Sequence, residues 1–397
     1  MEHAEQVRIL KGLMQHLDEG TNVDAGKVVK NPVSSYLCAD RGKLEWECFF
    51  ADYPQVLGLS GDLPAENSFF TSNDFEKPIL CTRDKDGKFH AFINACRHRG
   101  TIVETEDRGI KSSFSCPFHA WTYSGKGDLV AVPKEDHFGK IDKSRFSLVP
   151  LPAEEKYGIL WVHPNPDGEL KIDEQLGELA SELSSWNLES MTRDASDRYE
   201  HAMNWKLAID TFGETYHFNV LHKDTLAQSF YGNAQMYDTY ERNHRMTLCM
   251  KDIDTLRTLP EDQWNVLVGT TPVYYLFPNT QLILTQAGPI LVRVYPRGEN
   301  PNDSYSEIAF YLRPEIVALK DQPEHQELAL AISDRLKGFG NVIRDEDYAA
   351  AATSHQGMMG GGFKHVVFGR NEPALHHYHN TYQQALGLPP LEEATTF

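Results

Sequence analysis

The sequence lacks any window long and apolar enough to span a bilayer, and its first residues, MEHAEQVRILKGLMQHLDEG, carry charge throughout. A secretory leader needs an apolar stretch followed by small residues, so neither a spanning segment nor a leader is expected, and the reading is cytoplasmic. Positive charge is short: 38 Lys and Arg face 57 Asp and Glu, a formal net charge of −19. Nucleic acid and anionic membrane surfaces would be repelled, so neither is expected as a partner. Cysteine is scarce too. Six in 397 residues are too few for a disulfide scaffold, and Cys38, Cys48, Cys81 and Cys249 have the spacing of nothing more than small buried hydrophobes. No low-complexity tract and no solenoid repeat interrupts a composition that is 41% hydrophobic and 11% aromatic. The chain is long enough for two or three globular domains.

Val7, Leu10, Leu13, Met14 and Leu17 recur at helical spacing, which predicts an amphipathic helix over 3–17. From about 53 to 160 the texture changes. Runs such as KPILCTRD, KFHAFINA, FSLVPLP and GILWVHP alternate with Gly, Pro and Asp turns, including KDGK and GKGD. That is the pattern of a small antiparallel β domain. DEQLGELASELSSW returns to helix, and HAMNWKLAIDTFGETYHFNVLH reads as a longer helical segment. Residues 272–312 read as long strands with turns at FPNT and PRGENPND, and two helices are predicted near 323–337 and 341–356. The expected class is α+β, with a β domain at 53–160 inserted between 1–52 and 161–397.

Within the β region, NACRHRG places Cys96 and His98 two apart, and SCPFHAWTYSGKG places Cys116 and His119 three apart. Two thiolates and two imidazoles on two turns allow a structural zinc or a two-iron cluster of Rieske type. Zinc loops ordinarily pair Cys with Cys and His with His, whereas each loop here mixes the two. Mixing suits a Rieske centre, in which one iron takes both cysteines and the other both histidines, raising the potential.

CRHRG followed by CPFHAWTYSGKGDL resembles the Rieske domain of the ring-hydroxylating, or Rieske non-heme iron, oxygenases. The resemblance runs from about residue 45 to 385. It implies that Cys96 and Cys116 bind one iron of a [2Fe-2S] cluster and His98 and His119 the other. It further implies a helix-grip catalytic domain whose curved antiparallel sheet encloses a small-molecule substrate.

A Rieske cluster carries single electrons, so an oxygenase needs a second metal where O2 is activated. NWKLAIDTFGETYHFNVLH supplies Glu214, His217 and His222, and a two-His-one-carboxylate set on Fe(II) leaves positions free for oxygen. On a regular helix residues five apart are turned by about 140°. A π-type bulge would bring the two histidines to one face, and Gly213 loosens the helix nearby. The family signature D/E-x3-D-x2-H-x4-H reads here as Asp210, Glu214, His217 and His222, with Glu at 214 in place of the usual Asp. For the third ligand, NVIRDEDYAAAATSHQGM offers Asp345, Glu346 and Asp347. The resemblance favours Asp347, followed by Gln356, with Asp345 as its competitor. His376, His377 and His379 read as part of a packed terminal helix.

The resemblance also implies a terminal oxygenase component. No strand-borne G-x-G-x-x-G is present for a nicotinamide or flavin, so electrons would come from NAD(P)H through a ferredoxin or flavin reductase. Glu214 would join His217 to His119 of a neighbouring subunit, which requires an oligomer, a head-to-tail homotrimer with or without a separate beta subunit. Asp210 would face the iron cavity, with Phe212, Tyr274, Tyr275, Phe277 and His365 as wall candidates. Aromatic walls suit an aromatic or alicyclic substrate. A carboxylate beside rings suits a quaternary ammonium instead. Hydroxylation, cis-dihydroxylation and oxidative demethylation share one iron–oxygen chemistry. Outside this class stand a Rieske-type electron carrier and a zinc-stapled ligand-binding protein.

Overall fold

The computed structural model describes residues 1–394, which form two compact units. One contains 49–172 with 188–192, a wider span than the β texture of 53–160. It carries a five-stranded antiparallel sheet in the order Pro150–Leu151, Phe89–Ile93, Ile79–Arg83, Ser68–Ser72, Arg108–Ile110. Two three-stranded sheets complete it. One is built from Gln55–Leu59, Ala153–Lys156 and Ile159–Val162, the other from Ser113–Ser115, Thr122–Ser124 and Leu129–Ala131.

Both turns read from the sequence are present, and each has a physical anchor. In KDGK, Asp84 Oδ1 accepts from the amides of Asp86 (2.8 Å) and Lys88 (2.9 Å), and Gly87 takes a positive φ of 78°. In GKGD, Gly127 has φ 82°, and a Cβ there would meet the Phe92 ring at 2.4 Å. Phe69, Leu80, Phe92, Phe114, Trp121 and Tyr123 pack into one core with Cys96 and Cys116. Burial of these rings and side chains, each worth roughly 1.5–3 kcal/mol, holds the two cysteine-bearing loops on a rigid base.

The other unit contains 1–48, 173–187 and 193 onward. Its framework is a seven-stranded antiparallel sheet. Six strands run as a meander, Phe230–Tyr240, Asn243–Met250, Thr270–Leu276, Thr280–Leu284, Pro289–Arg297 and Asn300–Leu312, and Thr192–His201 closes the edge beside the last. The strands Thr270–Leu276 and Thr280–Leu284 are buried on both faces, so their sequence shows no alternation. The helix predicted at the N-terminus spans His3–Glu19 and ends at Gly20 in the left-handed region. The two predicted late helices are one continuous helical run: Gln326–Val342, a π turn over Ile343–Tyr348, then Ala349–Met359. A Cβ on Gly340 would meet the Phe310 ring at 2.7 Å, which shows how closely this run lies on the sheet.

The long helix expected over the HAMNWKLAIDTFGETYHFNVLH stretch is broken. Asn204 caps a first helix, Trp205–Asp210, by accepting from the Lys206 amide, and a second short helix covers only Phe218–Leu221. Gly213 sits in the break. A Cβ there would lie 2.5 Å from Leu375 and 2.9 Å from Tyr378, so contact with the C-terminal helix Pro373–Ala385 takes precedence over helical continuity. No π bulge forms between His217 and His222; the π turns lie at Trp46–Ala51 and Ile343–Tyr348.

Two candidate metal centres

The two Cys/His loops of the β unit share one backbone pattern. The Cys96 amide donates to the Thr101 carbonyl (2.8 Å) and the Gly100 amide returns to the Cys96 carbonyl (2.8 Å); Cys116 with Trp121 and Ala120 repeats this at 2.9 Å for both bonds. The fourth residue after each cysteine has positive φ, 80° at Gly100 and 56° at Ala120. Each loop therefore wraps tightly around its cysteine. Both cysteines are buried free thiols, and burial pushes the Cys116 thiol above its ordinary range. Tyr123 places its hydroxyl 3.3 Å from Cys96 Sγ and accepts from the Arg97 amide at 2.9 Å.

The histidines stand at the outer end. The His98 and His119 ring centroids are 4.8 Å apart, His98 stacks on Trp121 at 5.0 Å, and His119 is exposed with Phe118 stacked on it at 3.8 Å. Burial, His119 and Arg99 lower the pKa of His98, and its Nδ1 has no hydrogen-bond partner. An imidazole nitrogen without a hydrogen-bond partner, on a loop that also carries a buried thiol, suits the donor set of a Rieske cluster.

In the larger unit, the helix break turns His217 and His222 toward each other. Their Nε2 atoms are 3.1 Å apart, and Asp347 Oδ1 lies 3.3 Å from the first and 3.2 Å from the second. Burial works against a proton on His217, but Asp347 and Glu214 outweigh it and raise its pKa to about 9; the same competition raises His222 and lowers Asp347. Two imidazole nitrogens facing at that distance cannot both carry protons. A divalent cation satisfies both lone pairs and the carboxylate at once, so the set fits a mononuclear iron. Asp345, the competitor, is exposed and pairs with Arg344 at 2.6 Å, while Gln356 is exposed.

Each histidine also has a carboxylate on its Nδ1. Glu214 bonds His217 there and accepts from the His217 amide at 3.1 Å; Glu346 Oε2 bonds His222 Nδ1 at 2.7 Å. Asp210 is held by Tyr36, whose hydroxyl donates at 2.7 Å, and by His379 Nε2 at 2.9 Å. The Asn31 amide nitrogen donates to both Tyr36 (3.1 Å) and His379 Nδ1 (3.0 Å), which assigns the His379 proton to Nε2. The sequence signalled neither Asn31 nor Tyr36 as a site residue, offered Glu346 only among the acids for a third ligand, and read His379 only as packing.

Asp210, Glu214, His217 and Asp347 line a cavity of ≈ 430 Å³ that also meets Phe363 and Phe368. On the sheet side of the triad lies a narrow pocket of ≈ 30 Å³ walled by Phe212, Phe218, Phe339, Met246 and Ile283. Of the wall candidates, Phe212 alone lines it. Tyr274 turns its hydroxyl to Glu182 and Trp186, and Tyr275 bonds Pro278 and Tyr382. Phe277 packs on Tyr382, and His365 is an exposed strand residue opposite Pro32. The two tyrosines alternate on one strand buried on both faces: Tyr274 points away from the face of Val273, and Tyr275 shares that face but its hydroxyl is taken up by Pro278 and Tyr382.

A thiol/imidazole donor set in one unit and a two-His-one-carboxylate set in the other fit a two-centre metalloprotein of the oxygen-activating kind. Comparison with known proteins agrees. Residues 54–148 match the Rieske [2Fe-2S] domain, and residues 188–388 match the ring hydroxylating alpha subunit (catalytic domain). The chain is 30% identical over 330 residues to the carnitine monooxygenase oxygenase subunit of Acinetobacter baumannii, covering 81% of this chain and 82% of that one. It is 25% identical over 356 residues to the chloroplastic choline monooxygenase of Spinacia oleracea, covering 86% and 75%. Among solved structures, a quaternary ammonium Rieske monooxygenase with L-carnitine superposes with TM-score 0.74 at 20% identity, covering 91% of this chain and 96% of the other. Naphthalene 1,2-dioxygenase from Rhodococcus sp. superposes with TM-score 0.72 at 19% identity, covering 96% and 98%.

The chain belongs to the Rieske non-heme iron oxygenases, the family of ring-hydroxylating alpha subunits. It is a terminal oxygenase, an oxidoreductase that incorporates O2 into a small organic substrate. Its cofactors are a Rieske [2Fe-2S] cluster and a mononuclear iron, reduced through an electron-transfer partner. Neither an electron carrier nor a zinc-stapled binding protein describes it.

Proposed function

We propose that this oxygenase acts on a small quaternary ammonium compound, hydroxylating a carbon next to nitrogen. The observation that carries the substrate class is the inner pocket. The rings of Phe212, Phe218 and Phe339 line it, with no Lys or Arg among the described lining residues. Aromatic faces attract an ammonium and disfavour an anion. The kinship with oxygenases of choline and carnitine supports this reading. A neutral aromatic substrate is the second reading, favoured by the aliphatic sheet-side wall of Leu248, Val273 and Ile283.

In this reading Cys96 and Cys116 hold one iron of the cluster, His98 and His119 the other, and His217, His222 and Asp347 hold the mononuclear iron. The iron, when bound, supplies the position at which O2 and electrons meet. The residues of the chain do the rest. Carboxylates at both Nδ1 atoms keep the Nε2 lone pairs inward. The apolar pocket wall excludes water from the substrate, and Tyr36 and His379 fix Asp210 at the cavity edge.

Glu214 lines the ≈ 430 Å³ cavity, and the segment carrying His217 exposes Tyr216 (68%) and Val220 (79%). On the cluster loop, Phe118 is 56% exposed beside His119. Apolar exposure of this kind at both places supports a head-to-tail homotrimer in which the cluster loop of one copy enters the cavity of the next. His119 of that copy then reaches Glu214. The enzyme is read as cytoplasmic, with or without a separate beta subunit, and served by a ferredoxin or flavin reductase drawing on NAD(P)H.

The test is oxygen uptake by the reduced protein, with product mass spectra, on choline, its neutral tert-butyl isostere, carnitine and naphthalene. The charged compound should exceed its isostere by about tenfold or more in kcat/KM, the worth of a desolvated cation–π contact. Equal turnover of cation and isostere, or turnover of naphthalene alone, overturns the substrate assignment and favours the second reading.

A further inference from the structure

Three acids stand in a row at 345–347, and they part company. Asp345 turns to Arg344 at the surface, whereas Glu346 and Asp347 both address His222, one at each ring nitrogen: Glu346 Oε2 is 2.7 Å from Nδ1 and Asp347 Oδ1 is 3.2 Å from Nε2. Adjacent residues reach opposite nitrogens of one ring because Glu is longer by one methylene and because the π turn Ile343–Tyr348 places both beside the short helix Phe218–Leu221. Glu346 is itself restrained. Thr225 Oγ1 donates to the same Oε2 at 2.8 Å, and the Thr225 amide donates to the His222 carbonyl at 3.0 Å.

From this geometry we infer that Glu346 is a positioning residue of the mononuclear iron site, fixing the tautomer and ring plane of His222, with Thr225 as its clamp. The inference rests on the assignment of His217, His222 and Asp347 as the iron ligands. An anionic acceptor on Nδ1–H keeps the proton off Nε2 and makes that nitrogen a stronger donor to a metal; outer partners of this kind are worth about 10–100-fold in metal affinity or activity. Its counterpart on His217 is Glu214. The two differ in what they face: Glu214 lines both the large cavity and the inner pocket, and Glu346 lines neither. Within its own chain Glu346 therefore acts through His222 rather than on either cavity.

The experiment uses the full chain with its cluster in place. Fe(II) affinity of the mononuclear site is measured by competition with a ferrous chelator, and site geometry by the visible absorption of Co(II) bound there. Glu346→Leu should weaken Fe(II) by about 10–100-fold and alter the Co(II) bands. Glu346→Gln, whose carbonyl still accepts from Nδ1–H without the charge, should lose less, as should Thr225→Val. Asp345→Ala should match the parent. The cluster spectrum and thermal midpoint, which a general folding defect would move, should stay unchanged. Parent-like Fe(II) affinity and Co(II) bands in Glu346→Leu overturn the inference; if that variant loses its cluster, the same outcome in both Glu346→Gln and Thr225→Val does so. His222→Ala separates the two levels: undiminished Fe(II) binding there refutes the ligand assignment itself, whereas its loss beside an unaffected Glu346→Leu refutes only the role of Glu346.

Discussion

Cys96 and Cys116 occupy equivalent places in two loops that share one hydrogen-bond pattern, although one loop closes on Gly100 and the other on Ala120. A non-Gly residue at φ 56° costs on the order of 1 kcal/mol. Ala120→Gly is expected to stabilise the protein by about that amount in denaturant unfolding while leaving the red-brown cluster spectrum intact. Cys96→Ala should instead be free of that spectrum. A purified parent that is colourless and holds stoichiometric zinc after iron-supplemented anaerobic expression would refute the cluster.

Asp347 Oδ1 is shared between two histidines, whereas Asp345 is committed to Arg344. Asp347→Ala should lose about one iron per chain and nearly all turnover while keeping the cluster spectrum, since the two donor sets are chemically independent. Asp345→Ala should keep all three irons and activity. Iron analysis of the pair decides the third ligand.

If Glu214 joins His217 to His119 of another copy, two inactive chains should rescue one another. Co-expression of Cys96→Ala with His217→Ala creates some boundaries with an intact cluster on one side and an intact triad on the other, so partial activity should return in isolated mixed oligomers. Silent mixed oligomers with verified metal content would refute the route between subunits. Glu214→Gln should keep both metals and lose most activity, because removing the charge weakens the bonds at His217.

Asp84 supplies a pH prediction. Burial disfavours its charge, but His90 at 2.9 Å and the Lys88 and Asp86 amides outweigh that and hold its pKa at about 2. A depressed folded-state pKa contributes stability above the unfolded value of about 3.9 and loses it as pH falls toward 2. The contribution is about 2 kcal/mol. Asp84→Asn keeps an acceptor for the turn amides without the charge, so its stability deficit should be full above pH 5 and shrink toward pH 2 in acid-series denaturant melts. A deficit independent of pH would show that the charge is not what holds the KDGK turn.

Much of the site was legible in order along the chain. The four Cys/His residues of the β unit fall in two short loops, so spacing narrows the chemistry to a structural zinc or a Rieske cluster, and the mixing of Cys with His in each loop favours the latter. His217 and His222 were legible as a pair, but the way they meet was not. A periodic apolar pattern continues through Gly213, and only the contact of that glycine with Leu375 and Tyr378 breaks the helix. The strands at 192–250 carry no strand pattern in the sequence because the first is largely solvent-facing and mixed in charge and the third is buried over all but its last residue, so neither alternates.

By itself the sequence determined the donor types, the thiol/imidazole mixing, the β texture of the inserted unit and the acids available for a third ligand, because these depend on residues close together in the chain. Tertiary structure alone decided which acid turns inward, which ring nitrogen Glu346 takes, that Asp210 meets Tyr36 and His379, and that the Tyr274 and Tyr275 hydroxyls are bonded elsewhere than in the pocket. Those choices depend on the orientation of side chains brought together from more than a hundred residues apart or from strands buried on both faces. No local pattern encodes such an orientation; the packing of the helical run and the terminal helix against the sheet sets it.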